Sequence, residues 1–159
     1  MGSDGQLNPL ASSSAWMRFL QRTPIGFHIC MLSALCHDYA LRVVKNLPIP
    51  TNNSVRRLYH MGASLRLLNE ILTSTDPVEM DEVILAALGL AFCGVDELGL
   101  DKYRYPKSPF ASPLKDAQWI SVYGRIRVEP QHAAGMLFLI KRRGGLAKVE
   151  LPGLAEILS

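Results

Sequence analysis

Apolar residues recur every three or four positions along much of the chain, which is the spacing of helices that bury one side. The clearest start is Thr23-Pro24, because Thr can accept from the free N–H groups of a first turn and Pro suits the first helical position. The prolines of residues 47–50 cannot continue a helix. The pattern predicts a helix from Pro24 to about Asn46, with an inner side formed by Ile25, Ile29, Leu32, Cys36, Tyr39 and Val43.

The next helix is predicted to begin at the polar residues 51–54, which can cap its start, and to end at about Thr73. Its apolar residues are again spaced by three or four, whereas its charged residues lie mostly off that stripe. We therefore expect the inner side of this helix to consist of Val55, Leu58, Gly62, Leu65, Leu68 and Leu72.

The most apolar segment follows Asp76-Pro77-Val78-Glu79, a typical helix start with a cap, a first-turn proline and a capping-box glutamate. The predicted helix runs to about Val95 and is apolar almost all round, so we expect it to be central. Its uncharged stretch, Val83 to Val95, contains 13 residues. A bilayer span needs about 20, so no membrane segment is expected.

The remaining segments complete an all-α prediction of a single irregular bundle of five to seven helices. Residues 1–14 are predicted to form a flexible arm, and residues 15–159 the helical domain. The first helix is expected from about Ser14 to Gln21. Residues 99–113 hold three prolines and predict a surface loop. Further helices are expected within 114–123, from Glu129-Pro130 to Arg143, and as a short last turn. No alternating strand is expected, and residues 120–128 are the one place where β-branched residues would allow a short extended segment.

The composition of the chain excludes or disfavours several classes of protein. The chain has 159 residues, 48% of them hydrophobic and 19% charged, which suits one folded domain and excludes disorder over most of its length. A net charge of +3 is too small to indicate nucleic acid binding by itself. Three cysteines without a CxxC pair and the absence of a signal-peptide pattern favour an intracellular protein without structural zinc.

No catalytic or metal motif stands out. Cys36, His37 and Asp38 are consecutive, but neighbours on a helix point about 100° apart and cannot form a relay. The histidines lack the spacing of a zinc site, and glycine-rich phosphate loops are missing from the sequence. We therefore expect no metal, no cofactor and, on balance, no enzyme.

One stretch is more specific than the rest. Residues 131–146, QHAAGMLFLIKRRGGL, resemble the "H-x-x-G … R-G-G-(apolar)" helix of the regulatory (middle homology) region of fungal transcription factors. The matching positions are His132, Gly135, Arg143, Gly144, Gly145 and Leu146. The same residues have a structural interpretation. Gly135 would admit a neighbouring helix, Arg143 would pair with a carboxylate or cap carbonyls, and the glycines would end the helix.

The resemblance implies a non-catalytic domain that regulates transcription through a protein partner, self-association or a small apolar effector. It implies a nuclear location, while the sequence itself leaves nucleus and cytoplasm open. Proteins of that family bind DNA through a zinc cluster held by six cysteines. The three cysteines of this sequence cannot form such a cluster, so no sequence-specific DNA binding is expected. The chain is also shorter than the usual regulatory region of this family.

Two further hypotheses concern particular side chains. An effector cavity would have flexible apolar walls, for which the candidates are Met31, Met61, Met80 and Phe92, although ordinary core packing is the simpler interpretation of these residues. The alternative function is a small helical enzyme or ligand-processing protein of fungal secondary metabolism. It requires Cys93, His132 and Asp38 to be brought together by the fold.

Overall fold

The computed structural model describes residues 9–74, 79–93 and 128–159, and in these residues it confirms an all-α protein. They contain six α-helices and no strand: α1 (Pro9–Arg22), α2 (Pro24–Val44), α3 (Asn53–Thr73), α4 (Met80–Ala91), α5 (Pro130–Arg143) and α6 (Leu154–Leu158), with a 3₁₀ turn at Leu146–Lys148. The predicted loop at 99–113, the helix at 114–123 and nearly all of the extended segment lie outside the described residues.

The start of α2 agrees with the sequence prediction. Thr23 accepts a hydrogen bond from the N–H of Gly26 at 3.0 Å, and Pro24 occupies the first turn. The turn from α1 is tight, since a Cβ at Gly26 would overlap the carbonyl oxygen of Phe19. Helix α1 starts at Pro9 rather than near Ser14, so its first turn falls within the stretch predicted as a flexible arm.

Helix α4 lies at the centre, as predicted. Nine of its residues are buried, and Ile84, Ala86 and Ala91 are fully inaccessible to solvent. Helix α2 packs against it so closely that a Cβ at Gly89 would overlap the side chain of Ile29. The core continues into α5 through Leu139 and Ile140 and into the C-terminal helix through Leu154. Among the described helices, none combines the length and the apolar character that a membrane crossing needs.

Candidate interaction surface on α3

Helix α3 corrects the prediction of its inner side. Val55 is 66% exposed, Leu58 55%, Leu72 40% and Leu65 36%, and Gly62 is also exposed. Of the six residues predicted to face inward, Leu68 alone packs against the core. The buried residues of α3 are instead mostly polar: Asn53, Arg57, His60, Ala63 and Ser64.

The buried polar side of α3 is stable because each group finds a partner. Arg57, 6% exposed, donates from Nε to Oδ1 of Asn53 at 2.7 Å. Its guanidinium also lies 4.5 Å from the ring centroid of Tyr39 on α2, a cation–π contact. Ser64 donates to the carbonyl oxygen of His60 at 2.8 Å. A buried charge is costly unless it has a partner, so the contact of Arg57 with Tyr39 favours the orientation in which this side of α3 faces α2.

A histidine pair connects the same two helices. The Nδ1 atoms of His28 on α2 and His60 on α3 are 2.9 Å apart, so one ring donates a proton to the other. The rings of Phe27 and Tyr59 meet this pair edge-on. Burial lowers the pKa of His60, and the charges of His28 and Arg56 lower it further. The two rings therefore join α2 and α3 through one N–H···N hydrogen bond.

The opposite side of α3 is a continuous strip that we call the outer stripe, formed by Val55, Leu58, Gly62, Leu65, Asn69 and Leu72. It contains no charged residue, and all of its members are exposed. A Cβ added at Gly62 would meet no atom within 4 Å, so nothing in the described chain packs on this position. The sequence pattern indicated five of these six residues, all except Asn69, but we predicted them on the wrong side of the helix.

A cleft of about 320 Å³ lies beside the outer stripe, between α3, α4 and α5. Its residues are Leu68, Leu72, Ala87, Leu90, Gln131, His132, Gly135, Phe138, Leu139 and Arg142. Leu72 belongs to both the cleft and the outer stripe. A Cβ at Gly135 would meet no atom within 4 Å, so the expectation that this glycine admits a neighbouring helix is wrong for the described chain.

The rest of the 131–146 motif secures the C-terminal segment. Nε of Arg143 donates to Oδ1 of Asp81 at 3.0 Å, so the prediction that Arg143 pairs with a carboxylate is confirmed. Oδ2 of Asp81 accepts from the backbone N–H groups of Glu150 at 2.6 Å and Leu151 at 2.9 Å. Burial raises the pKa of Asp81, but these hydrogen bonds outweigh it, and the pKa lies below its ordinary value.

The two motif glycines form the turn after α5, as predicted. Gly144 has φ 103° and Gly145 φ 94°, values that favour glycine. The turn directs Leu146 against the core, where it is partly buried. Arg143, Gly144, Gly145 and Leu146 thus have structural positions, whereas His132 and Gly135 line the cleft.

The four residues proposed as effector-cavity walls are dispersed. Met61 and Met80 are partly buried against the core, Met31 is half-buried, and Phe92 is 47% exposed. None of them lines the cleft, nor a wider one of about 550 Å³ between α1, α2, α3 and α4.

The three residues of the enzyme hypothesis have different surroundings. Asp38 pairs with Arg42 on its own helix, at 2.8 Å, and His132 lines the cleft. Cys93 lies instead beside Ser33, whose Oγ is 3.6 Å from its Sγ. Within residues 9–74, 79–93 and 128–159, no group of three or more His, Cys, Asp or Glu side chains is placed to hold a metal ion.

Cys93 has a second neighbour, the buried Cys36. The thiol of Cys36 donates to the backbone oxygen of Cys93 at 3.5 Å. The hydrogen bond with the thiol of Cys93 raises the pKa of Cys36, and burial raises it further. The same bond lowers the pKa of Cys93. The buried position of Cys36 agrees with the sequence prediction.

Comparison of the chain with protein-family models, with curated proteins and with solved structures found no match.

Proposed function

We propose that this protein is a non-catalytic interaction domain, which binds a protein partner through the outer stripe of α3 and acts in transcriptional regulation. The observation that carries the proposal is the exposure of an apolar helix side whose opposite, polar side is buried. Contiguous exposed apolar surface on a soluble domain marks an interaction site.

The orientation of α3 supports this function because it is held by specific polar contacts. Turning the outer stripe inward would separate Arg57 from the ring of Tyr39 and His60 from the ring of His28. Buried polar groups that lose their partners cost about 1–3 kcal/mol each. These contacts with α2 therefore favour the observed orientation, in which no other described residue covers the outer stripe at Gly62.

The regulatory part of the proposal draws on the resemblance of residues 131–146 to fungal transcription-factor regulatory regions. A nuclear location follows from the same resemblance and belongs to the proposal. A tethered reporter assay tests this part, with the chain fused to a heterologous DNA-binding module. We expect altered reporter output, lost when Leu58 and Leu65 are both replaced by Ser. Output that equals that of the module alone would refute a role in transcription.

Binding at the outer stripe is tested by photocrosslinking in the host cell. A benzophenone amino acid replaces Leu58 in one variant and Lys141, an exposed residue of α5, in the control. We expect a light-dependent adduct at position 58 that is weaker or missing at position 141. Equal labelling at both positions, or none at position 58, would contradict an interaction surface on α3.

The cleft favours a second function, the binding of a small apolar effector. Its volume of about 320 Å³ lies within the range of ligand pockets. Its walls are mostly apolar, and Gln131, His132 and Arg142 provide polar groups that suit an acidic or hydrogen-bond-accepting end. Native mass spectrometry of protein from its host would show a retained small molecule. We expect Gly135→Leu, which fills the cleft, to abolish retention, and Ala134→Leu, at an exposed neighbour, to preserve it.

A further inference from the structure

We infer that the partner of the outer stripe is a second copy of this chain, bound so that the two α3 helices cross at Gly62. The inference rests on the proposed function, since it names the occupant of the same surface.

The outer stripe has the spacing of a coiled-coil seam. Val55, Gly62 and Asn69 are spaced by seven residues, and Leu58, Leu65 and Leu72 follow them with the same period. These two sets are the a and d positions of a heptad repeat, with leucine at every d position. Helices whose apolar residues follow this period bury them against a partner helix. At about 1.5 Å per residue, the seam is roughly 26 Å long.

Gly62 supports close contact between two helices. Glycine within a helix is unfavourable by about 1 kcal/mol relative to alanine. Gly89 is explained inside the domain, because a Cβ there would overlap Ile29, but a Cβ at Gly62 would have open space. The described chain therefore has no steric need for glycine at position 62. A helix crossing at this point does, since the missing side chain lets two backbones approach.

The residues of the seam are compatible with pairing to the same seam of a second copy. Asn69 occupies an a position, where a polar residue specifies register and oligomeric state. Its amide both donates and accepts, so it can pair with the Asn69 of a second copy. Charges at the flanking e and g positions normally select the partner. Here these positions hold Ser54, Tyr59, Met61, Arg66, Leu68 and Thr73, of which Arg66 alone is charged. No array of like charges opposes self-association.

Dimerisation through α3 requires no additional folding. The helix is already held by α2, so its conformational entropy is lost in the monomer and not on binding. A two-fold axis at the crossing point would place the same surface of each copy in contact, as in most homodimers. It would also bring residue 62 of one copy next to residue 62 of the other in either helix orientation.

Sedimentation velocity of the purified chain and two leucine variants tests the inference. We expect reversible dimers for the native chain and a dissociation constant raised by roughly tenfold or more in Gly62→Leu, since a leucine overfills the crossing. Ala134→Leu adds a leucine at an exposed position of α5, outside the seam and the cleft, and should leave the dissociation constant unchanged. Circular dichroism should show equal helix content for all three. A native chain that stays monomeric, or dimers equally weakened by both variants, would overturn the inference.

A disulfide provides a measurement that does not depend on the leucine variant. Gly62→Cys in a Cys30→Ser background should form an intermolecular disulfide on mild oxidation, because the Cα atoms would be near the roughly 5.5 Å that a disulfide prefers. Ala134→Cys, in the same background, should not. Equal crosslinking of both would contradict the crossing at Gly62. Adducts of Leu58 with a different protein, beside a monomeric purified chain, would refute the dimer and leave the proposed function standing.

Discussion

Helices α3 and α4 use their apolar residues in opposite ways. Helix α4 buries nearly all of its side chains, because helices α2 and α5 and the C-terminal segment surround it. Helix α3 exposes an apolar outer side and buries polar residues where Arg57 and His60 meet α2, while Leu67, Leu68 and Ile71 pack against the core. One helix builds the core, and the other exposes an apolar side that we propose as a binding surface.

The difference shows that helical spacing of apolar residues predicts an apolar side of the helix but does not predict what covers that side. In α4 the covering surface belongs to the same chain. In α3 the described chain covers the side that holds Arg57, His60 and Ile71, and no other described residue packs on the outer stripe at Gly62. Four variants test this contrast, and we give them in order of decreasing expected effect.

Ile84→Ala on α4 should lower the free energy of unfolding most. The side chain is fully buried among core residues, and removal of such an isoleucine costs about 3–4 kcal/mol through lost burial and the cavity that remains. Urea denaturation followed by circular dichroism measures the change. A loss below about 1 kcal/mol would mean that α4 is not the centre of the core.

Asp81→Asn should lower the free energy of unfolding by about 2–3 kcal/mol, since the variant weakens charge-assisted hydrogen bonds to Arg143 and two backbone N–H groups. Because the folded pKa lies below the ordinary 3.8, this stabilisation is complete above pH 3.8 and is lost as the pH falls through the folded pKa. Glu156→Gln, at an exposed carboxylate of α6, is the control. Equal effects of the two variants would refute the role assigned to Asp81.

His60 should make stability depend on pH near neutrality. Its folded pKa is lowered from 6.5, so the unfolded chain takes up a proton first. Stability is therefore complete above pH 6.5 and declines as the pH falls toward the folded pKa. Thermal melts of the native chain and of His60→Asn, at matched ionic strength, measure the dependence. The variant should lose this part of the pH profile, and an unchanged profile would count against the buried histidine pair.

Leu58→Ser on the outer stripe should have the smallest effect on the monomer. At concentrations where the monomer prevails, we expect the free energy of unfolding to change by less than about 0.5 kcal/mol, because the side chain is already 55% exposed. At higher concentrations the same variant should lower the melting temperature relative to the native chain, which the dimer stabilises. A large loss in the dilute monomer would show that Leu58 is buried within one chain.

Much of the helical architecture could be predicted because its signals are local. Thr23-Pro24 marks the start of α2, and Gly144 ends α5, through contacts between residues a few positions apart. The central position of α4 follows from its composition alone. The start of α1 at Pro9 was missed, since the Pro and Ser residues of 9–14 are compatible with both an arm and the beginning of a helix.

The orientation of α3 could not be predicted because it depends on contacts distant in the sequence. Its polar residues Asn53, Arg57, His60 and Ser64 also recur at helical spacing, so the helix carries two stripes. The choice between them is made by Tyr39 and His28 on α2, which provide a cation–π contact and a ring hydrogen bond. The identity of the carboxylate that pairs with Arg143 could not be predicted either, since Asp81 lies 62 residues earlier in the sequence.

Sedimentation equilibrium of the unmodified chain tests whether the outer stripe of α3 is an interface between two copies of this chain. The measurement should cover the widest range of concentration at which the chain is soluble. We expect a weight-average mass that rises with concentration from 17.6 kDa toward twice that value, and no further. A mass that remains at 17.6 kDa throughout would contradict self-association, and a mass that rises without limit would contradict a closed interface.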